Sequence, residues 1–312
     1  MKPPLWPSTA RGAKISRLCD GIRVTLIDER MTRSVVLQAQ HAQHALETYQ
    51  RLQTQLPQLQ HLVSQTSRFA TLDKLHAQIL GNLLFLRLEC LTGDASGHNM
   101  VTKAADAILK WIIESDETLQ YASISANLCV DKKVSAINGI LGRGKNVIAE
   151  ITIPETILSK HLRTTAAKMV DLNTHKNHLG SNLAGSIRSA NAHFANMLLA
   201  FYLATGQDAA NIIEGSQGIV HCQNQEGQLY FSCTLPNLIV GSVGNGKGQH
   251  LSTIEQHLQT LGCREERPIG DNARRLAAIC AATVLCGELS LLAAQTNPGE
   301  LMRSHLAMER HS

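Results

Sequence analysis

Residues 35–125 alternate between strand-like and helix-like hydrophobic patterns in an order that few small folds can accommodate. The strand-like run VVLQAQ is followed by a long glutamine-rich helical stretch that Pro57 interrupts. Two more strand-like runs meet at a turn near Gly81, and the helical pattern HNMVTKAADAILKWIIESD leads to a last strand-like run, LQYASIS. Apolar residues at a spacing of two indicate strands, and a spacing near 3.6 indicates helices. The order β-α-β-β-α-β predicts a small ferredoxin-like unit.

The sequences on either side of this unit belong to something larger. We therefore predict an α+β fold in which residues 1–34 begin a large helix-rich domain, residues 35–125 form an inserted small domain, and residues 126–312 supply a connecting loop and the rest of the large domain. The prolines at positions 3, 4 and 7 argue against a helix start in the first segment.

The last segment carries its own patterns. They predict a strand near residues 146–153, helices over 155–175 and 180–206, a hairpin with its turn at Glu226-Gly227, and a buried helix over 271–294. The residues after His305 are predicted to form a loose tail.

Composition excludes several classes of protein. The 312 residues include 29 basic and 25 acidic ones, a net charge of +4, and only 4% are aromatic, which argues against a nucleic-acid binder. The eight cysteines include no C-x-x-C pair, so no metal site is predicted. The first residues lack an apolar signal region, and Glu288 interrupts the longest apolar run. We expect a soluble, cytoplasmic protein without a membrane span.

The stretch from Ser125 to Asn138 sets Asp131, Lys132 and Lys133 side by side between two strand-like runs. Unpaired charges do not enter a dry core, so this stretch is a connecting loop or the wall of a cleft. A solvated basic loop is one interpretation. The other is functional, because a lysine held beside an aspartate can stabilise an oxyanion when a carbonyl is reduced or attacked.

Three further positions allow a structural and a functional interpretation. Asp208 either caps a helix or holds a lysine in a water-poor site. His193 and Asn196 share a helix face, as a core histidine or as ligand-binding groups. His305 is a surface histidine or a general acid that a mobile tail brings over a cleft.

A nucleotide site without a Rossmann motif is also suggested. Ser67, Arg68 and Phe69 precede a strand, and the segment Asp94–Asn99 opens a helix, where backbone N–H groups favour phosphate. The glycine-rich loop GSVGNGKG, which contains Gly244 and Gly246, follows a strand and permits close approach of a ligand.

Taken together, a set of segments spread over almost the whole chain resembles the hydroxymethylglutaryl-CoA reductase family in its class I form. In chain order they are STARG, MTR, TSRFATLDKLH, TGDASGHNM, SANLCVDKKVSAIN, GRGK, HKNHLGSNLAGSI, NAHFAN, GQDAA, SCTLPNLIVGSVGNG, DNARRLA, CGELSL and RSH. The resemblance implies a large domain with an inserted NADPH-binding domain of ferredoxin-like fold. It implies two hydride transfers from NADPH to the thioester, giving mevalonate and CoA, and a homodimer or higher homo-oligomer.

The resemblance also assigns roles by position. Lys132 matches the lysine that stabilises the oxyanion, Asp208 its carboxylate partner, and His305 the proton donor to the CoA thiolate. The substrate-binding positions are Arg33, Ser125, Asp131, Lys133, Lys176 and Asn196 for the hydroxymethylglutaryl group, and Ser8, Arg11 and Arg163 for CoA. The cofactor-binding positions are Ser67, Arg68, Phe69, Asp94, Ala95, Ser96, Gly244, Gly246 and Arg310. Arg68 matches the residue at the 2′-phosphate, and Arg310 lies in the tail that covers the cofactor.

The chain departs from the family pattern at several positions. Ser96 and His98 replace methionines, and Arg163 replaces a lysine. The slot of a catalytic glutamate falls on Lys2, and residues 1–7 contain no carboxylate. Three hypotheses follow: a reductase, whose turnover is impaired if that acid is missing; a non-catalytic binder of CoA esters or NADPH; and a structural partner that completes the site of another chain.

Overall fold

The computed structural model describes residues 5–244 and 251–309, which form a mixed structure of helices and antiparallel strands. The helices are α1 (Leu5–Leu18), α2 (Ala42–Thr54), α3 (Leu56–Thr66), α4 (His98–Ser115), α5 (Ala136–Leu141), α6 (Glu155–Ile157), α7 (Ala166–Leu172), α8 (Ser181–Leu183), α9 (Phe194–Thr205), α10 (Ile212–Gly215), α11 (Ser252–Thr260), α12 (Asp271–Gln295) and α13 (Glu300–Glu309). The strands are β1 (Arg23–Gln38), β2 (Thr71–Leu80), β3 (Leu83–Leu91), β4 (Gln120–Ser123), β5 (Gly144–Ile153), β6 (Ile219–Gln225) and β7 (Gln228–Leu238). Two π-helical turns (Leu158–Leu162 and Asn173–Gly180) and a 3₁₀ turn (Ala209–Asn211) complete the secondary structure.

Strand β1 is shared by two parts of the sheet. Its first half, from Arg23 to Arg30, pairs with β5, and its second half, from Met31 to Gln38, pairs with β3. The strand order is β2-β3-β1-β5-β7-β6, and β4 pairs with the far end of β1. The predicted boundary between residues 34 and 35 therefore lies inside a continuous strand.

Two hydrophobic cores lie on the two parts of this sheet. In the smaller one, α2, α3 and α4 cover β1, β2 and β3, and Leu37, Leu52, Leu86 and Ile108 are fully buried. In the larger one, α12 packs on β5 and β7, and α9 packs on α12; the fully buried side chains of this core include Phe194, Phe231, Ala277 and Leu285. Each core is closed by its own helices, so the chain has two compact units on one sheet.

Helix α12 is, among the described residues, the one helix that is long and apolar enough to cross a membrane. Of its apolar window, 72% is buried inside the protein, as in the core helix of a soluble protein. Because of this burial, the length and composition of α12 are only weak evidence for a membrane span.

Helix α1 corrects the expectation that the prolines at the N-terminus prevent a helix. Pro7 lies in its first turn, where the backbone N–H has no intrahelical partner and its loss costs little. The helix packs closely on α12: a Cβ atom at Gly12 would lie 2.1 Å from the carbonyl oxygen of Cys286. Only glycine permits this approach.

The predicted helix over residues 180–206 is wrong in its first half. Helix α8 ends at Leu183 and α9 begins at Phe194, with an irregular segment between them that includes left-handed backbone at Gly185 and Arg188. Ala190 in this segment pairs with Ile219 of β6, so sheet hydrogen bonds replace helical ones.

Two other predicted stretches also differ from the structure. The expected helix over 155–175 is interrupted at Arg163, whose backbone is left-handed and so ends the first π-helical turn. The expected loose tail is helical as far as Glu309, because α13 continues past residue 305.

Candidate active site

The loop between β4 and α5 carries Asp131, Lys132 and Lys133, and its backbone is held in an unusual conformation. Asn127, Val130 and Lys132 are left-handed, with φ of 57°, 44° and 54°. Such backbone costs free energy at residues other than glycine and persists only where the surroundings determine it.

Four hydrogen bonds around this loop hold its backbone in the left-handed conformation. Cys129 N–H donates to Ser34 Oγ (3.0 Å), and Lys132 N–H donates to Glu214 Oε1 (3.1 Å). Asn138 Nδ2 donates to Val130 O (2.9 Å), and the N–H of Val130 donates to the carbonyl of Asn127 (3.2 Å). The loop is therefore a rigid wall rather than a free connection.

Lys132 and Asp208 form the most direct contact between predicted catalytic residues. Lys132 Nζ lies 2.7 Å from Asp208 Oδ2, and the two side chains are 40% and 46% exposed. Asp208 Oδ1 also accepts the N–H of Ala210 (3.1 Å), so the aspartate caps the 3₁₀ turn and holds the lysine at the same time.

The charges of this pair support one another. The hydrogen bond to Asp208 raises the pKa of Lys132 and keeps it an ammonium group. Burial alone would raise the pKa of Asp208, but the hydrogen bonds from Lys132 and from Ala210 N–H lower it below the ordinary value. A partly exposed ammonium group is the arrangement that stabilises negative charge on a substrate oxygen.

Beneath this pair lies a fully buried ionic group. Arg143 is 0% exposed; its NH1 lies 2.9 Å from Glu214 Oε1, and its NH2 lies 2.9 Å from Asp131 Oδ1. Asn211 Nδ2 donates to the same Glu214 oxygen (2.9 Å). Burial raises the pKa of Glu214, whereas Arg143 lowers it. Through Glu214, the group fixes the backbone of Lys132.

Arg87 of β3 holds the loop from the side of the smaller core. Its buried guanidinium donates to Leu128 O (3.2 Å), Asn138 Oδ1 (2.9 Å) and Gly142 O (2.7 Å), and it pairs with Glu89 (3.2 Å). Sequence reasoning identified neither Arg87 nor Glu214 as part of the site. Both are charged residues in apolar surroundings, and that unusual setting was the available signal.

The predicted cofactor residues are divided between two places. Ser67, Arg68 and Phe69 form the turn between α3 and β2, where the Arg68 guanidinium lies 4.6 Å from the centre of the Phe69 ring. Asp94 does something different: its carboxylate accepts the N–H groups of Gly270 and Ala273 (both 2.9 Å) and caps the start of α12.

The neighbours of Asp94 lie close to the end of β7 and to the loop. Ala95 pairs with Val243, next to Gly244, whose backbone is left-handed, and Ser96 Oγ lies 3.4 Å from His98 Nδ1. His98 Nε2 lies 3.9 Å from Asp131 Oδ1, and burial followed by the charge of Arg143 lowers the pKa of His98 to about 4. Gly246, Arg310 and Lys2 lie outside the described residues.

Three of the predicted substrate residues, Ser8, Arg11 and Asn196, line a cavity of about 870 Å³ between α1, α9, α12 and α13. Its polar lining consists of Ser8, Arg11, His193, Asn196, Ser290, Gln295 and Ser304, and leucines supply much of the rest. Ser8 Oγ donates to Ser290 Oγ (3.0 Å) and Arg11 Nε donates to it as well (2.9 Å). His305 follows Ser304 in α13.

Next to this cavity, Glu288 is fully buried and accepts the N–H groups of Ala192 and His193. Burial raises the pKa of Glu288 and lowers that of Lys176, whose Nζ donates to Asn177 Oδ1 (3.3 Å). Arg163 and Arg11 both reach Glu300.

The remaining predicted substrate residues lie on the loop or near it. Lys133 Nζ donates to Asp131 O (3.2 Å), and the carbonyl of Ser125 accepts from Ser123 Oγ (3.2 Å). Arg33 lies on β1 opposite Leu88. The structure thus gathers the predicted residues into a loop group, a turn group around Arg68, and a cavity group.

Comparisons with known proteins agree with one another. The sequence model of the family described as hydroxymethylglutaryl-coenzyme A reductase matches residues 3–310. The 3-hydroxy-3-methylglutaryl-coenzyme A reductase of Pyrococcus horikoshii is 42% identical over 309 residues, covering 98% of this chain and 74% of that protein. The enzyme of the same name from Strongylocentrotus purpuratus is 39% identical over 311 residues, covering 98% of this chain and 33% of its own length.

A solved structure shares the fold. The class II 3-hydroxy-3-methylglutaryl-CoA reductase from Streptococcus pneumoniae, bound to NADPH in open conformations, superposes with a TM-score of 0.69 at 17% identity, covering 95% of this chain and 79% of that one. The family match spans nearly every residue and the Pyrococcus relative is similar over the same extent. This chain belongs to the hydroxymethylglutaryl-coenzyme A reductase family.

Proposed function

We propose that this protein catalyses the NADPH-dependent reduction of 3-hydroxy-3-methylglutaryl-CoA to mevalonate and CoA. The observation that carries the proposal is the Lys132–Asp208 contact of 2.7 Å on a loop whose backbone is fixed by buried groups. Family membership supports the same reaction.

Lys132 acts on the oxygen of the thioester carbonyl. NADPH, when bound, supplies a hydride to the carbonyl carbon in each of the two reductive steps. As the carbon accepts the electron pair, negative charge moves to the oxygen, and the Lys132 ammonium group stabilises it. Asp208 keeps Lys132 protonated and aimed.

His305 acts at the carbon–sulfur bond. After the first reduction, that bond breaks, the oxygen reforms a carbonyl as the aldehyde, and the sulfur leaves with the electron pair as the CoA thiolate. We assign His305 as the acid that gives this thiolate a proton. Its place on α13, directly after the cavity-lining Ser304, supports the assignment.

The residues near α4 fit a phosphorylated nucleotide. Helix α4 has 18 residues, and no side chain caps the backbone N–H groups at its start, which therefore favour an anion. Among residues 5–244 and 251–309, no carboxylate forms an ion pair with Arg68. We assign Ser67, Arg68, Phe69, Ala95, Ser96 and Gly244 to NADPH, with Asp94 acting through the start of α12 and with Gly246 and Arg310 carried over by position.

We assign the cavity to the substrate. We assign Ser8, Arg11 and Arg163 to the phosphates and pantetheine of CoA, and the leucine-rich walls to its apolar parts. Arg33, Ser125, Asp131, Lys133, Lys176 and Asn196 are assigned to the hydroxymethylglutaryl group. Arginine and lysine suit the free carboxylate of this group because they pair with it directly.

We also infer that residues 35–125 form an inserted ferredoxin-like domain, with residues 1–34 and 126–312 as the large domain. The antiparallel order β2-β3-β1-β4 and a separate core support this division. The large exposed side chains of Leu183 (89%), Trp6 (72%) and Leu203 (61%) suit a contact with a second copy. We propose a soluble, cytoplasmic homo-oligomer, which light scattering after gel filtration tests.

The experiment follows NADPH absorbance with and without 3-hydroxy-3-methylglutaryl-CoA, and measures mevalonate by chromatography. We expect NADPH loss only with the thioester, two NADPH per mevalonate, and a reduction of turnover by about 10²–10³-fold in Lys132→Met. Lys110→Met, which removes an equal charge from the outer face of α4, should retain activity. Absence of turnover at high enzyme concentration refutes the proposal. Saturable CoA binding without turnover would instead favour the non-catalytic binder.

A further inference from the structure

Glu300, the first residue of α13, lies between two arginines. Its Oε1 atom is 2.9 Å from Arg11 NH1 and 3.1 Å from Arg163 NH2, and its Oε2 atom accepts from Asn297 Nδ2 (3.2 Å). The residue is only 5% exposed. Two positively charged groups from distant parts of the chain therefore converge on one buried carboxylate oxygen.

This contact lies at the edge of the 870 Å³ cavity, which Arg11 and the next residue of α13, Leu301, both line. The Arg163 side chain is 65% exposed and projects from a left-handed backbone, φ 55°, that also ends a π-helical turn. Guanidinium groups in such pairs bind phosphate and carboxylate by the same charge-assisted hydrogen bonds. Glu300 therefore already pairs with the two guanidinium groups that a phosphorylated ligand would bind.

We propose that Glu300 is an internal counter-anion that competes with the phosphates of CoA for Arg11 and Arg163. It thereby lowers the affinity for CoA and holds the start of α13, the helix that carries His305, until a phosphorylated ligand displaces it. This inference rests on the proposed function, because it takes Arg11 and Arg163 as CoA-binding groups.

The test measures binding rather than turnover. CoA is titrated into wild-type protein and into Glu300→Gln, which keeps the shape but removes the charge. Because the neutral side chain no longer competes as an anion for the two arginines, the Kd of CoA should fall by about tenfold. Pantetheine, which has no phosphate, should bind both proteins equally.

The matched control is Glu150→Gln. Glu150 pairs with Arg23 at the start of β1 (3.6 Å) and accepts a hydrogen bond from the Tyr230 hydroxyl, so this change alters the net charge equally without touching the cavity. It should leave the Kd of CoA unchanged. If Glu150→Gln increased the affinity for CoA as much as Glu300→Gln does, overall charge would be the cause of the effect. That result would overturn the inference.

Two further variants test the contact itself. Glu300→Asp keeps the charge but shortens the side chain, so it should also tighten CoA binding, though less than Glu300→Gln. In the background of Arg163→Met, the gain from Glu300→Gln should shrink, because one of the two competed groups is gone. An equal increase in CoA affinity from Glu300→Gln in the wild-type and Arg163→Met backgrounds would contradict competition for Arg163.

Amide hydrogen exchange reports on α13. Without ligand, the amides of this helix should exchange faster in Glu300→Gln than in the wild type, and CoA should speed their exchange in the wild type as it displaces Glu300. If wild-type protein binds CoA and Glu300→Gln binds it no more tightly, the inference fails while the proposed function stands. If neither protein binds CoA, the proposed CoA site and the inference fail together.

Discussion

Two groups of charged side chains meet on either side of the Asp131–Lys133 loop, and they differ most in their contact with water. Above the loop, Lys132 and Asp208 are 40% and 46% exposed. Below it, Arg143 and Glu214 are both 0% exposed. Exposed pairs contribute little to stability because water competes with them, whereas buried pairs are costly to break.

This difference suggests a division of labour. The exposed Lys132 can bind a substrate oxygen in place of water, and loss of its contact with Asp208 costs the fold little stability. The buried group is not available to substrate, and its hydrogen bond to the Lys132 N–H fixes where the exposed pair stands. Substitutions in the two groups should therefore separate stability from turnover.

The largest effect is expected from Arg143→Met. Removing the guanidinium leaves Glu214 buried without its cation, which should lower the free energy of unfolding by ~3–5 kcal/mol. Urea denaturation followed by circular dichroism measures this. The double variant Arg143→Met/Glu214→Met should be more stable than the single one, because no unpaired charge remains. A single variant as stable as wild type would contradict the buried network.

Lys132→Met should affect turnover strongly and stability weakly. Loss of the ammonium group should reduce kcat by about 10²–10³-fold, as for other groups that stabilise an oxyanion. The free energy of unfolding should change by less than ~1 kcal/mol, because the pair is exposed. Parallel assays of turnover and urea denaturation decide. A large loss of stability in this variant would place Lys132 with the structural group instead.

Arg87→Lys should have an intermediate effect. A lysine keeps the charge but cannot donate in the three directions that reach Leu128, Asn138 and Gly142. We expect kcat to fall by about tenfold with little change in KM for NADPH, since the loop shifts and the turn at Arg68 does not. An equal loss in Arg30→Lys, which pairs with the same Glu89 but does not reach the loop, would show a general effect on the sheet.

The smallest effect is a pH dependence of opposite sign in the two groups. The pKa of Asp208 is lowered from 3.8 in the folded protein, so its ionised form stabilises the fold above pH 3.8 and this stabilisation is lost as pH falls through the folded pKa. Its size should be below ~1 kcal/mol because of exposure.

The pKa of Glu214 is raised from 4.5 by burial, so the fold loses stability as pH rises from 4.5 through the folded pKa. Urea midpoints of wild type, Asp208→Asn and Glu214→Gln across this range test both signs. As pH rises, the urea midpoint of the wild type should increase relative to that of Asp208→Asn and decrease relative to that of Glu214→Gln. If both differences in urea midpoint changed with pH in the same direction, the exposed and buried groups would not differ in the way proposed.

Local patterns predicted much of the fold. The strand and helix order between residues 35 and 125, the hairpin turn at Glu226-Gly227 and the buried helix α12 all follow from hydrophobic spacing and turn residues, and the structure contains them. The continuity of β1 was not predicted, because its first half is polar on one face and its second half is buried, so the two halves look like different elements.

The candidate site was less accessible to sequence reasoning. Spacing alone left Lys132 as either a solvated loop residue or a lysine that stabilises an oxyanion, and only resemblance linked it to Asp208. Arg87 and Glu214 escaped notice because burial of a charge depends on partners that are distant in the chain. Such partners have no signature within a short window of sequence.

Strand β1 has a consequence for how the protein can be dissected. Because one strand serves both parts of the sheet, the smaller unit cannot be excised without leaving the larger one with a truncated edge, and exchange of this unit between relatives must splice inside a strand. The same continuity makes β1 a rigid connection between the two units. Any rotation of one unit against the other must twist or bend this strand, so relative motion is limited by the stiffness of its backbone ladder.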